Sequence, residues 1–145
     1  MENSLPRRES RENAFLLAFS ATFDDRPLDQ LLEENREGEE HVVDKFGEQL
    51  LRLYYDHSAE VDDLIRDRLR GWTMQRLPRV TLAMLRLAVA EVAFGPEDKP
   101  GVAINEAVEL SKKYGAAEDY QFVNGLLGSV ARDLNKGQTD APAQE

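Results

Sequence analysis

Residues 78–94 read PRVTLAMLRLAVAEVAF. Val80, Leu82, Ala83, Met84, Leu85, Leu87, Ala88, Val89, Ala90, Val92 and Ala93 cover almost the whole circumference of a helix drawn through them. A helix that is apolar all round is one the other elements pack against. The stretch therefore predicts a central helix from Pro78 to Phe94. Gly95, Pro96, Pro100 and Gly101 break the chain behind it.

Helical spacing extends outward from this segment in both directions. Ala14, Phe15, Ala18, Phe19 and Thr22 form a first stripe, and Pro27 opens a short second helix through Leu28, Leu31 and Leu32. The glutamate-rich run from Glu33 to Glu40 reads as a solvated connection. Val42, Val43, Phe46, Leu50, Leu53 and Tyr54 predict a third helix. Ser58 is a candidate N-cap for a fourth, with Val61, Leu64, Ile65, Leu69 and Trp72 at helical intervals. Beyond the central helix, a sixth runs from Val102 to Tyr114 and stops at Gly115, with Glu109 placed to pair with Lys113. The last begins near Asp119 and carries Phe122, Val123, Leu126, Leu127, Val130, Ala131 and Leu134. Gly125 and Gly128 inside it each cost about 1 kcal/mol relative to alanine, which predicts a compensating close approach of another backbone. The fold class is all-α: a single compact bundle of about seven helices over residues 1–136. The tail 137–145 lacks apolar anchors and is expected to be disordered.

At 145 residues the chain is the length of one domain. It contains no cysteine, which removes disulfides and thiolate chemistry. His41 and His57 lack metal-ligand spacing, neither a P-loop nor a GxGxxG is present, and the adjacent Asp62 and Asp63 read as a solvated face. No catalytic residue, metal or cofactor is expected, and no run is long enough to cross a bilayer. A cytoplasmic, non-enzymatic protein is the expectation.

The formal charge of −10 argues against bulk nucleic-acid binding, but the charge is uneven. Residues 24–48 hold ten acids and three bases, whereas residues 66–86 hold six arginines and one acid. Arg7, Arg8 and Arg11 lie at the start of the first helix, where they oppose the helix dipole and where an incoming phosphate relieves that penalty. Charge alone favours the plainer reading, a disordered arm in which Glu9 and Glu12 screen the arginines. Arg86, among apolar neighbours, calls for a buried carboxylate, with Glu91 a weak candidate. The other arginines of its cluster have residues 24–48 as available partners.

Three segments, PRRESRENAFLLAF (6–19), RVTLAMLRLAVAEV (79–92) and VAINEAVELSKKYG (102–115) followed by FVNGLLG (122–128), together resemble the NusB family of transcription antitermination factors. The resemblance spans residues 6 to about 135. It implies a non-catalytic RNA-binding protein that joins boxA-like single-stranded RNA to the ribosomal protein NusE and, through other factors, to the RNA polymerase elongation complex, notably in ribosomal RNA operons. On the matching positions it implies RNA contacts at Arg7, Arg8 and Arg11, and at Glu118, Asp119, Tyr120, Gln121 and Phe122 in the loop entering the last helix. It likewise implies a NusE-facing surface at Phe19, Gln75, Arg79 and Thr81. Some members dimerise, so a homodimer is within the family's range. Gln121 stands where the family commonly has a basic residue, and with the acidic charge it motivates a second reading: a protein-interaction module on the same scaffold with weak or lost RNA binding.

Overall fold

The computed structural model describes residues 5–136, which form seven α-helices. These are α1 (Arg7–Ala21), α2 (Leu28–Gly38), α3 (Lys45–Asp56), α4 (Ser58–Arg66), α5 (Arg79–Phe94), α6 (Pro100–Tyr114) and α7 (Asp119–Asp133). A single 3-10 turn, Met74–Arg76, precedes α5. No strand occurs among the described residues. The expected boundary at 136 and the tail 137–145 lie at and beyond the end of the described residues.

The apolar helix is central, as its circumference requires. α5 packs against α1, α3, α4, α6 and α7, and Leu85, Val89 and Ala90 are wholly enclosed. Phe15 of α1, Leu51 of α3, Ile65 of α4 and Leu127 of α7 close around it. α1 runs antiparallel to α5: Arg11 near its start meets Glu91, and Thr22 beyond its end meets Arg79.

Asp44 fastens α3 to α1. Its Oδ1 accepts from the Gly47 N–H at 2.9 Å as an N-cap, and its Oδ2 accepts from the buried Ser10 hydroxyl at 2.7 Å and the Leu5 N–H at 3.2 Å. Burial pushes the Asp44 carboxyl up, but these hydrogen bonds outweigh it and hold the group below its ordinary value.

Several sequence expectations are corrected. α2 continues through the glutamates to Gly38, because Leu31 and Leu32 anchor one face while the acids stay in solvent. The following loop is held by Asn35, which accepts from the Val43 N–H and donates to the His41 carbonyl. α4 ends at Arg66, short of Leu69 and Trp72. Gly71 then adopts φ +81°, a conformation glycine takes without strain; Leu69 stays buried while Trp72 is exposed. Arg86 pairs with Asp62 at 3.1 and 3.2 Å, not with Glu91, so Asp62 is no free surface acid. The Tyr54 hydroxyl donates to the same carboxylate, and burial drives its pKa far above the ordinary phenol value. Asp63 pairs with Arg66 at 2.6 Å, and the acids of 24–48 find partners elsewhere, as in Arg52 with Asp29 and Glu48. Glu109 reaches Lys112 rather than Lys113, which bonds Glu12 of α1 instead. Among the described residues, no backbone approaches the Cβ positions of the α7 glycines closely. A Cβ on Gly125 would meet no atom within 4 Å, and one on Gly128 only the Arg132 guanidinium at 3.3 Å.

Candidate nucleic-acid interface

The three N-terminal arginines lie within two turns of α1 but in different environments. Arg7 stacks its guanidinium 4.0 Å above the Phe46 ring and has no acidic partner among the described residues. Arg8 forms a fork with Glu106 of α6 at 2.9 and 3.0 Å, with its side chain 65% exposed. Arg11 forms a fork with Glu91 of α5 at 3.1 and 2.6 Å, only 12% exposed and 5.1 Å from Phe46. The Arg8 guanidinium is open to solvent while its partner Glu106 is only 14% exposed, so a phosphate reaching Arg8 meets a side chain already shared with a largely buried carboxylate. Arg11 is part of the α1–α5 joint.

Helix α6 carries this surface onward. Beyond Arg8–Glu106 stand Lys113, which donates to Glu12 at 2.6 Å, and Tyr114, whose hydroxyl donates to the same carboxylate. The hydrogen bond from Arg8 holds the Glu106 carboxyl below its usual range, and those from Lys113 and Tyr114 do the same for Glu12. Lys112 lies 5.1 Å over the Tyr120 ring. Gly115 then ends α6 in extended backbone; a Cβ there would stand 2.8 Å from the Ser111 carbonyl. α6 thus joins the N-terminal arginines to the loop entering α7.

In that loop Asp119 accepts from the Ala116 N–H at 2.9 Å, which shapes the entry into α7. Glu118 and Gln121 are exposed; Tyr120 is half-buried. Phe122 is 40% exposed, so the buried stripe of α7 begins at Val123 rather than at Phe122.

A second patch lies at the opposite end of α1. Phe19 is half-buried between Phe15 (centroids 6.5 Å apart) and Phe23 (5.4 Å, edge-on). Phe23 is 63% exposed, with the Arg79 guanidinium 4.5 Å above its ring while Arg79 also donates to the Thr22 carbonyl. Gln75 and Arg79 line a polar cleft of about 480 Å³ beside Thr22, Asp25 and Arg66. Thr81 departs from the expectation: it is 3% exposed, at the floor of a neighbouring cleft, and offers almost no surface to a partner protein. Sequence reading missed Phe23, although its spacing of four from Phe19 was the available signal. It missed Phe46, Lys112 and Lys113 too, whose roles depend on contacts between distant segments.

His57 stacks on Phe94 with centroids 3.9 Å apart, its Nδ1 3.0 Å from the Leu53 carbonyl, and His41 is exposed. Among the described residues no cluster of potential metal ligands is present, and no helix is long and apolar enough to cross a membrane.

Residues 8–132 match the model of the NusB family. The transcription antitermination protein NusB of Agathobacter rectalis is 38% identical over 136 residues, covering 88% of this chain and all of that protein. Its Bacillus subtilis counterpart is 32% identical, covering 91% and 99%. Among solved structures, T. maritima NusB superposes with a TM-score of 0.78 at 33% identity, covering 90% of this chain and 94% of that one. A crystal structure of the antitermination factors NusB and NusE in complex with dsRNA matches with a TM-score of 0.76 at 27% identity, covering 88% and 96%.

Proposed function

This chain belongs to the NusB family, and we propose on that basis that it is a transcription antitermination factor acting as an adaptor. In this reading it binds boxA-like single-stranded RNA together with the ribosomal protein NusE and links both to the RNA polymerase elongation complex, notably in ribosomal RNA operons. It works in the cytoplasm, by binding alone, without catalysis or cofactor. Phosphates meet Arg7 and Arg8, and unpaired bases meet the α7 entry loop from Glu118 to Phe122, with Tyr120 as a stacking surface. Arg11 acts from beneath by fixing the first turns of α1 on Glu91. NusE covers the patch of Phe19, Phe23, Gln75 and Arg79.

The observation that carries the reading is that Arg7, with no acidic partner among the described residues, and the exposed Arg8 stand at the start of α1, from which α6 leads to the α7 entry loop, within a protein of net charge −10. Fluorescence anisotropy of a labelled boxA-like RNA, with and without NusE and across salt concentrations, tests it. Sequence-dependent binding strengthened by NusE is expected. Replacing Arg7 and Arg8 by alanine should weaken binding and reduce the log–log salt slope by about 0.7 for each phosphate no longer neutralised. Salt-independent association with NusE and no RNA binding would support the protein-interaction module instead.

A further inference from the structure

The segment between α4 and α5 and the first turn of α7 enclose a cleft of about 440 Å³; its Asp119 and Phe122 belong to the entry loop described above, while Trp72, Leu77 and Arg70 have no role in it. Trp72, Leu77 and Phe122 line it, with Arg70 at its edge and Thr81 in its floor. Trp72 is 58% exposed and Phe122 40%, leaving two large aromatic surfaces in solvent within one concavity. Isolated exposed apolar residues are ordinary, whereas a clustered pair in a cleft marks a contact surface. The Trp72 position is imposed by the backbone, since Gly71 at φ +81° ends the packed segment just before it.

The wall of the cleft is fixed and its rim is cationic. Arg68 is locked, donating to the Leu64 carbonyl at 2.9 Å, to the Ser129 hydroxyl at 3.0 Å and to Asp133. Arg70 and Arg76 have no acidic partner among the described residues, and the Arg76 guanidinium lies 5.9 Å from the Trp72 ring. Asp119, the carboxylate that lines the cleft among the described residues, is engaged by the Ala116 N–H. One turn beyond Phe122, on the same face of α7, Gly125 leaves bare backbone with open space above it.

Flat rings in solvent beside unneutralised arginines suit a ligand that is itself flat and carries negative charge on its linkage. We infer that this cleft is a second nucleotide site, in which an unpaired RNA base stacks on Trp72 and Phe122 while its flanking phosphates meet Arg70 and Arg76. The inference rests on the RNA-binding reading above and extends the path of the strand from the α7 entry loop toward the NusE-facing patch. Leu77 borders both this cleft and that patch.

Trp72 is the only tryptophan in the chain, so its emission reports on this site alone. The full chain is titrated with unlabelled single-stranded RNA while Trp72 emission is followed, alongside anisotropy of the labelled strand. Quenching that saturates with the anisotropy signal is expected. Trp72→Ala should weaken RNA binding by about fivefold or more, with Trp72→Phe restoring most of it. Arg70→Ala should lower the salt slope by about 0.7. Unchanged helical circular dichroism for each variant excludes misfolding as the cause. RNA binding with unchanged Trp72 emission and unchanged Trp72→Ala affinity would overturn the site while leaving the adaptor reading intact. Emission that responds to NusE alone would assign the cleft to the protein partner and overturn it equally. Absence of any RNA binding by anisotropy would remove the adaptor reading, and this site with it.

Discussion

Arg7 and Arg11 are one helical turn apart and both approach Phe46, yet they respond to different demands. Arg11 satisfies a carboxylate that α5 brings into the bundle; removing it leaves Glu91 half-buried and unpaired. Arg11→Ala is therefore expected to destabilise the protein by about 1.5–3 kcal/mol. Arg7→Ala, which removes only an exposed cation–π interaction, should cost about 1 kcal/mol or less. Urea unfolding of the two variants separates them, and equal destabilisation would contradict the division of roles. Spacing alone placed all three arginines in one group. Which of them finds an acid depends on Glu91 and Glu106, some eighty to a hundred residues away, and no local pattern encodes that. Arg86 shows the same limit. Its need for a buried carboxylate was legible from its apolar neighbours, but the identity of that carboxylate, Asp62, was fixed by the packing of α4 on α5.

At the scale of elements, helices α1, α5, α6 and α7 were legible nearly to their ends because their apolar periodicity matches their burial. α4 was overextended because Leu69 and Trp72 keep a helical interval that the backbone abandons at Gly71. Gly125 and Gly128 signalled a helix–helix approach that does not exist; Gly125 faces open space. Its cost to α7 is thus uncompensated among the described residues. Gly125→Ala should raise stability by up to about 1 kcal/mol, seen as a higher urea midpoint at unchanged slope. A destabilised variant would mean that this position packs against something after all. Folding accordingly gives no reason for glycine here, and the bare backbone beside Phe122 is better understood through what docks on α7.

For the whole molecule, the joints between α1 and its neighbours share one electrostatic property. Asp44 at α3, Glu12 beside α6 and Glu106 on α6 all have carboxyl pKa values held below the ordinary range by hydrogen bonds. A carboxyl more acidic in the folded state stabilises that state while ionised. The contribution is complete above the ordinary carboxylate range near about 4 and is lost as pH falls through the lower folded values. Urea midpoints should therefore be insensitive to these groups near neutrality and fall in this acid window. Asp44→Asn should flatten that fall. The apolar core around α5, read from sequence almost intact, contains no carboxyl group among its side chains and adds nothing to this acid window.

The antiparallel pairing of α1 with α5 also fixes a length. Arg79 and Glu91 are twelve residues apart on a helix that rises about 1.5 Å per residue, which sets ~18 Å between the Phe23–Arg79 patch and the joint beneath the N-terminal arginines. Both ends of this strut are tied to α1, and its sides are buried, so it can neither bend nor slide without opening the core. An RNA strand and a protein held at its two ends would keep a constant separation. Under the proposed adaptor role, the protein would be a gauge as well as a bridge, favouring assemblies whose own dimensions fit the interval between its two ends.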